Sequence, residues 1–295
     1  MELRELEALV AVVRHRSFTA AAAELGYTQS AVSQQIASLE RAAGQQLVGR
    51  RPVVPTAAGE RLAEHARRVL LRLQVAQSEL GRIANSRDEL RIGVSPRAAN
   101  EALAAALREL RRQFPAWRVV VESLPAADAP GAVAAGALDA ALVAGLAGAD
   151  EPLQLAEPGL FASLAFAETP YAVALPPDHP LARRASLDLA SVADAPFVHL
   201  PDDLDGRGDV ARLTGLEGPR RAGADSATIC ALVAAGLGLA LVPDLPFFRQ
   251  VGLVTVRVDA PAIVQRSELI FLRDPAPALA AAIAALRSAS TARAR

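Results

Sequence analysis

The sequence predicts a small helix-turn-helix head, one long helix, and a larger α/β body. Three observations predict this. Residues 17–44, SFTAAAAELGYTQSAVSQQIASLERAAG, hold two short helical patterns divided by a glycine-marked turn. Residues 57–84 carry a sustained apolar repeat, and beyond Glu89 strand-like runs alternate with helical ones. Helices on helices suit the first region, and strands alternating with helices imply a covered sheet in the last.

The head follows from caps and periodicity. Leu6, Leu9, Val10 and Val13 form the apolar stripe of a first helix. Thr19 precedes the strong helix formers AAAAEL, and its hydroxyl is expected to accept an orphan amide of the first turn. Gly26 follows Leu25 where a left-handed residue ends a helix. Thr28 caps a third helix with apolar positions Val32, Ile36, Leu39 and Ala43, and Gly44 ends it. Three helices on one core can present a polar helix face to the DNA major groove. Gln29, Ser30, Ser33 and Gln34 lie off the apolar stripe in the first two turns of that helix. Gln matches the acceptor and donor of adenine, and Ser suits several bases. Most polar helix faces are only solvated, so this face alone leaves both readings open.

Along 57–84, Leu62, Ala66, Val69, Leu73, Ala76, Leu80 and Ile83 recur in steps of four and three. That is a coiled-coil seam, with Arg61, Glu64, Arg67, Arg68, Arg72 and Glu79 off it. The seam fits a second chain or packing on the helix's own domain.

In the body, strands are expected at Leu90–Val94, Arg118–Glu122, Leu138–Val143, Tyr171–Leu175, Phe197–Leu200, Leu239–Val242 and Leu269–Leu272. Helices are expected at Ala99–Phe114, Ala132–Gly136, Thr228–Ala235 and Ala278–Leu286. Such alternation predicts a parallel sheet with right-handed crossovers, in two lobes, with ligand between them at the carboxyl ends of strands.

Composition narrows the function classes. With 295 residues and a net charge of −1, no global basicity signals nucleic acid. Residues 1–89 hold 12 Arg against 10 acidic residues, so DNA affinity would depend on local Arg placement and on doubling the head. The absence of lysine excludes Schiff-base and P-loop lysines. Glu2, Arg4, Glu5 and Glu7 occupy the place of a signal peptide's apolar core, and no apolar run is long enough to span a bilayer. A cytoplasmic location without a membrane partner is therefore expected. His15, His65, His179 and His199 lack ligand spacing, no G-x-S-x-G elbow occurs, and Gly236-Leu237-Gly238 reads as a helix-to-strand turn. No catalytic residue, cofactor or metal is expected. The single cysteine, Cys230, excludes an intramolecular disulfide and reads as a packed core thiol.

Residues 1 to about 85 resemble the winged helix-turn-helix head and linker helix of LysR-type transcriptional regulators. The likeness runs through LEALVAVVRHRSFTAAAAELGYTQSAVSQQIASLE, then Gly44, Leu47, Arg50 and the Thr56-Ala57-Ala58-Gly59 turn. The body resembles that family's effector domain, built like a periplasmic binding protein, in LRIGVS, AGALDAALV, PYAVALPPDHPLARR and DSATICALVAAGLGLALVP. The resemblance implies boundaries of 1–58 for a DNA-binding domain, 59–89 for a dimerising linker and hinge, and 90–295 for an effector-binding domain. Lobe I would take about 90–163 and 265–295, and lobe II about 164–264, with crossings near Ser163 and Val264.

By the same resemblance Gln29, Ser33 and Gln34 face bases and the segment from Arg50 to Val54 is a wing reaching phosphates or the minor groove. Thr28, Ser30 and Arg51 complete the expected DNA-binding set. Three departures stand out. Gln34 replaces a frequent Arg, which shifts preference from guanine toward adenine. Val48 stands where Phe is usual, and the stretch from Arg50 to Thr56 is about two residues short. The effector would be held by Ser95, Arg97 and Asn100 from one side and Pro201, Asp202, Ser226 and Thr228 from the other. Hydroxyls and helix N-termini suit a carboxylate. Arg97 facing Asp202 and Asp203 either grips a zwitterion or pairs with them and closes the cleft.

The expected function is a regulator that binds a promoter dyad as a homodimer or homotetramer and answers a small-molecule effector, meeting RNA polymerase where it activates. A small-molecule-binding protein, or a regulator with weakened or effector-independent DNA binding, is the alternative. An enzyme on the α/β scaffold is disfavoured because no acid–base or nucleophile constellation appears.

Overall fold

The structure is a computed structural model that describes residues 1–84, 89–153, 160–199, 214–216, 225–273, 275 and 277–291. The chain forms two compact units that part near residue 86.

The first unit holds α1 (Leu3–His15), α2 (Phe18–Leu25), α3 (Gln29–Ala43) and α4 (Ala57–Ala84). Each short helix has local reasons to start and stop. Glu2 and Glu5 form a reciprocal capping box on α1, in which the Glu2 amide donates to Glu5 Oε2 at 2.7 Å. Ser17, not Thr19, caps α2: its Oγ accepts from the Ala20 amide at 3.2 Å, while Thr19 lies within the helix. The cap is thus two residues earlier than expected, because Phe18 opens the helix and buries itself in the core. Thr28 caps α3 through the Ala31 amide at 3.2 Å, and Gly26 and Gly44 end α2 and α3 in left-handed conformation. Leu6, Leu9, Val12, Phe18, Val32, Ile36, Leu39 and Leu47 build the core, with Ala63 and Ala66 of α4 closing it.

The second unit is mixed rather than wholly parallel. Its strands are β1 (Glu89–Val94), β2 (Arg118–Ser123), β3 (Ala140–Gly148), β4 (Phe161–Leu175), β5 (Ser186–Asp188), β6 (Phe197–His199), β7 (Leu239–Pro243), β8 (Val254–Ala260) and β9 (Ile263–Leu272). Its helices are α5 (Glu101–Gln113), α6 (Ala129–Ala134), α7 (Ser226–Ala234), α8 (Pro246–Gln250) and α9 (Pro277–Thr291). β1 pairs in parallel with β2 and β3, β5 with β8, and β6 with β7. The long strands β4 and β9 enter antiparallel, which corrects the expectation of an all-parallel sheet.

β4 joins two lobes. From Phe161 to Pro170 it pairs with β9, and from Tyr171 to Leu175 with β7 and β8. The switch of partners falls at Pro170–Tyr171 rather than near Ser163. One core, around Leu90, Ile92, Leu110, Leu142, Leu269 and Leu286, fills the first lobe under α5 and α9. Two others cover the faces of the second: Tyr171, Val173 and Leu175 point to one, Ala174, Ala240 and Val242 to the other with α7 and α8. Among the described residues no helix is long and apolar enough to cross a membrane.

Candidate functional site

The first two turns of α3 carry the predicted reading face. Gln29, Ser30 and Gln34 are exposed and Ser33 is half-buried. Positions 29 and 33, and 30 and 34, lie one turn apart, so the four form one polar patch. Thr28 Oγ1 and Ser30 Oγ are 3.0 Å apart, which draws the cap into that patch.

Residues 47–56 form a complete, tight wing despite their shortness. Val48 bridges Pro55, the Gly49 amide donates to Val54 O at 2.7 Å, and the Thr56 amide donates to Leu47 O at 2.9 Å. Thr56 Oγ1 donates to Gln46 O at 2.9 Å and accepts from the Gly59 amide at 3.0 Å. Gly59 packs against the wing so closely that a Cβ there would meet Leu47 O at 1.9 Å. Glu40 holds the wing's root: its Oε1 accepts from the Leu47 and Val48 amides at 2.9 and 3.2 Å.

Arg50 is turned back onto the helices. Its Nη1 donates to Ser33 Oγ at 2.9 Å, its Nη2 lies 3.5 Å from Glu40 Oε2, and its guanidinium sits 5.2 Å above the Phe18 ring. The guanidinium stays partly exposed, so the wing and α3 share one cation at their junction. Arg51 is exposed at the wing tip.

In the second unit the expected effector residues have mixed fates. Ser95 is buried, and its Oγ accepts from the Ala144 amide at 3.1 Å, so it fastens the end of β1 to β3. Asn100 caps α5 through the Leu103 amide at 3.0 Å. Ser226 and Thr228 are exposed in the first turn of α7. The cap there is Asp225, absent from the sequence-based set: its Oδ1 accepts from the Thr228 amide and its Oδ2 from Thr228 Oγ1, each at 2.9 Å. Those bonds hold the Asp225 carboxyl below its ordinary range, and the resulting negative charge opposes an anion at this helix start. Pro201 and Asp202, with Asp203 and Leu200, lie outside the described residues.

Arg97 is joined to residues the sequence did not single out. Its carbonyl accepts from Gln265 Nε2 at 3.0 Å. Gln265 stands opposite Thr169 where β9 meets β4, and Tyr171 lies two residues further along β4 on the same face. Burial pushes the Tyr171 hydroxyl up, and the Arg97 charge opposes that shift. On the opposite face Arg266 donates from Nε to the buried Glu268 at 2.7 Å and pairs with Glu168, while Glu268 Oε1 also accepts from the Leu153 amide at 3.0 Å. The lobe junction is therefore polar on both faces of the crossing strands. Polar residues inside strands were the missed signal: Tyr171 in PYAVAL and Gln265 in IVQRSE. No group of His, Cys, Asp and Glu suited to a metal occurs among the described residues.

A helix-turn-helix head on a long helix, followed by a two-lobed α/β domain, defines the class of DNA-binding regulators with a built-in ligand domain. The family described as bacterial regulatory helix-turn-helix protein, lysR family, matches residues 3–60, and LysR substrate binding domain matches residues 84–291. The chain belongs to the LysR family of transcriptional regulators. It is 32% identical over 250 residues to a probable hydrogen peroxide-inducible genes activator of Mycobacterium avium, covering 81% of this chain and 76% of the relative. It is 32% identical over 258 residues to the regulator BudR of Raoultella terrigena, covering 83% and 85%. The oxidised form of OxyR from Corynebacterium glutamicum aligns at a TM-score of 0.53 and 26% identity, over 99% of this chain and 93% of that one.

Proposed function

We propose that this regulator reads DNA with Gln29, Ser30, Ser33 and Gln34, approached from the Thr28 end of α3, with Arg50 and Arg51 of the wing on the backbone. The observation that carries the reading is the exposed polar patch on the first two turns of α3, flanked by a closed wing. Val69, Leu73 and Leu80 of the linker seam are 48%, 38% and 70% exposed, whereas Leu62 and Ala66 pack into the head core. That apolar row supports a homodimer through α4, and two heads reading an interrupted dyad; the Ile83 side chain lies outside the described residues. Tetramers and contact with RNA polymerase are extensions of the same reading.

The effector is a small molecule held at the junction of the lobes, beside Ser95, Arg97 and the crossing strands. Its binding biases the arrangement of the lobes and through it the two heads, which requires different affinity in two arrangements. Peroxide is a poor effector for this chain, whatever its relatives sense. Cys230 is buried in the second lobe, and burial raises its thiol pKa, so the reactive thiolate is suppressed. No reaction is assigned to the chain, and the cytoplasm is its working compartment in this reading.

A footprint across a salt series, on the DNA upstream of the chain's own gene, tests the proposal. Protection of an interrupted dyad that weakens steeply with salt supports it. No protection at low salt there or on neighbouring intergenic DNA overturns it. The second reading, a regulator with weakened DNA binding, is favoured by one observation, the retention of Arg50 by Ser33 and Glu40.

A further inference from the structure

Glu40 is the only acidic residue of α3, and its two oxygens do different work. It stands seven residues after Ser33, two turns along on the same side of the helix. Long helical side chains lean toward the helix N-terminus, so the carboxylate reaches back toward the proposed reading turns. Its Oε1 fixes the wing's root by accepting from the Leu47 and Val48 amides at 2.9 and 3.2 Å. A neutral amide oxygen could accept the same two bonds, so the root has no need of a charge. The charge is met by Arg50. One arm of the guanidinium, Nη2, lies 3.5 Å from Glu40 Oε2, and the other, Nη1, donates to Ser33 Oγ at 2.9 Å. The Glu40 side chain is 17% exposed and that of Arg50 45%, so the pair is open enough to yield to a competing anion. An acid this close to a surface for a polyanion otherwise only weakens binding.

Resting on the reading of α3 and the wing as the DNA interface, we propose that Glu40 is a positioning residue that sets DNA specificity through Arg50. Off DNA its Oε2 stands in for a phosphate, neutralising Arg50 and holding its fork against Ser33. A duplex of the wrong sequence offers phosphates alone, and phosphates carry no sequence information. On such DNA Arg50 stays with Glu40, and the head loses one backbone contact. The right sequence adds base contacts from α3, which draw the backbone close enough to take Arg50 from Glu40. Ser33, held in place by the same fork until then, meets the bases already oriented. The carboxylate therefore suppresses indiscriminate binding more than it suppresses binding to the dyad.

The test uses the full-length protein with two duplexes of equal length, the one protected in the footprint and a scrambled version of it. Anisotropy across a salt series gives affinity and slope for each. Glu40→Gln keeps an oxygen for the Leu47 and Val48 amides and removes the charge, so its melting point without DNA should stay near the parent's. The variant should bind the scrambled duplex about tenfold tighter, with a salt slope steeper by about one. Its affinity for the dyad should rise by less than about threefold, so the specificity ratio falls by about threefold or more. In an Arg50→Ala background most of the gain on the scrambled duplex should vanish, because no guanidinium is left to release. An unchanged ratio and slope, weaker binding to both duplexes, or a gain that persists in full with Arg50→Ala each overturns the proposal. A Glu40→Gln head that fails to fold overturns it too, since the charge would then be spent on the wing's root. The parent separates this proposal from the reading beneath it. A parent that protects its dyad beside an unaltered variant sinks the role of Glu40 alone, whereas a parent that protects no DNA sinks both.

Discussion

Arg50 donates from Nη1 to Ser33 Oγ at 2.9 Å, binding the wing to the helix proposed to read DNA. Ser33 is thereby oriented before any DNA arrives, and the guanidinium keeps an exposed edge for a phosphate. Arg50→Ala is expected to weaken DNA binding about tenfold and to lower the salt slope by about one. Fluorescence anisotropy across a salt series measures both. An unchanged slope would mean that Arg50 acts only on the wing and Ser33.

Gly59 admits no side chain, because the wing's Leu47 carbonyl occupies the place of a Cβ. Relieving that clash requires moving backbone, so Gly59→Ala should cost about 2–3 kcal/mol of head stability. Chemical denaturation of the head transition reads the cost, and loss of footprint contacts at the wing should accompany it.

Glu5 is nearly buried, and its carboxyl is held below the ordinary value of 4.5, chiefly by a hydrogen bond with Ser38 and next by the Glu2 amide. A depressed carboxyl contributes stability that is complete above the unfolded pKa and is lost as pH falls through the lower folded value. Glu5→Gln should therefore melt lower than the parent at neutral pH, with the gap closing below about pH 4. Melting curves from pH 7 to 3 follow this directly.

Leu73 projects from α4 beyond the part that packs on the head, in line with Val69 and Leu80. Leu73→Asp should dissociate the dimer proposed through α4, raising its dissociation constant about a hundredfold, and leave the folding of each monomer intact. Sedimentation velocity separates the species, and circular dichroism checks the fold.

Cys230 has its thiol pKa raised by burial among Ile229, Val233 and Phe248. Hydrogen peroxide at concentrations that oxidise exposed thiols should leave DNA affinity unchanged. Cys230→Ala should behave alike, at a cost of about 1 kcal/mol in stability. A peroxide response that disappears in Cys230→Ala would reverse the assignment.

The head was legible because its signals are local. Thr28, Gly26 and Gly44 each act on the turn next to them, and the apolar stripe of α3 follows one helical period. Thr19 misled for a local reason too, since Ser17 and Thr19 both precede good helix formers and Phe18 decides by burying itself. The body hid its antiparallel joins. β4 spans two sheets, so its alternation in Phe161–Pro170 gives way to a fully buried run in Tyr171–Leu175, and only the second half reads as a strand. β5 and α8, of three and five residues, are too short to leave a periodic trace. The site residues expected from the loop after β1 are present, but Asn100 and Ser95 are spent on backbone amides. Tyr171 and Gln265 become visible only when β4 and β9 are set side by side.

That β9 lies between β3 and β4 has a consequence for how the chain is made. The head is contiguous in sequence and can close while the ribosome is still extending the body. The first lobe cannot, because a central strand of its sheet and the helix covering it, Pro277–Thr291, are translated only after the whole second lobe. Until they arrive, β3 and β4 wait with open edges, the condition in which strands pair wrongly. Nascent chains stalled just short of residue 263 should therefore present a protease-resistant head followed by a cleavable, chaperone-bound body. A late truncation or frameshift would leave a head closed on its own core beside a first lobe that lacks its central strand.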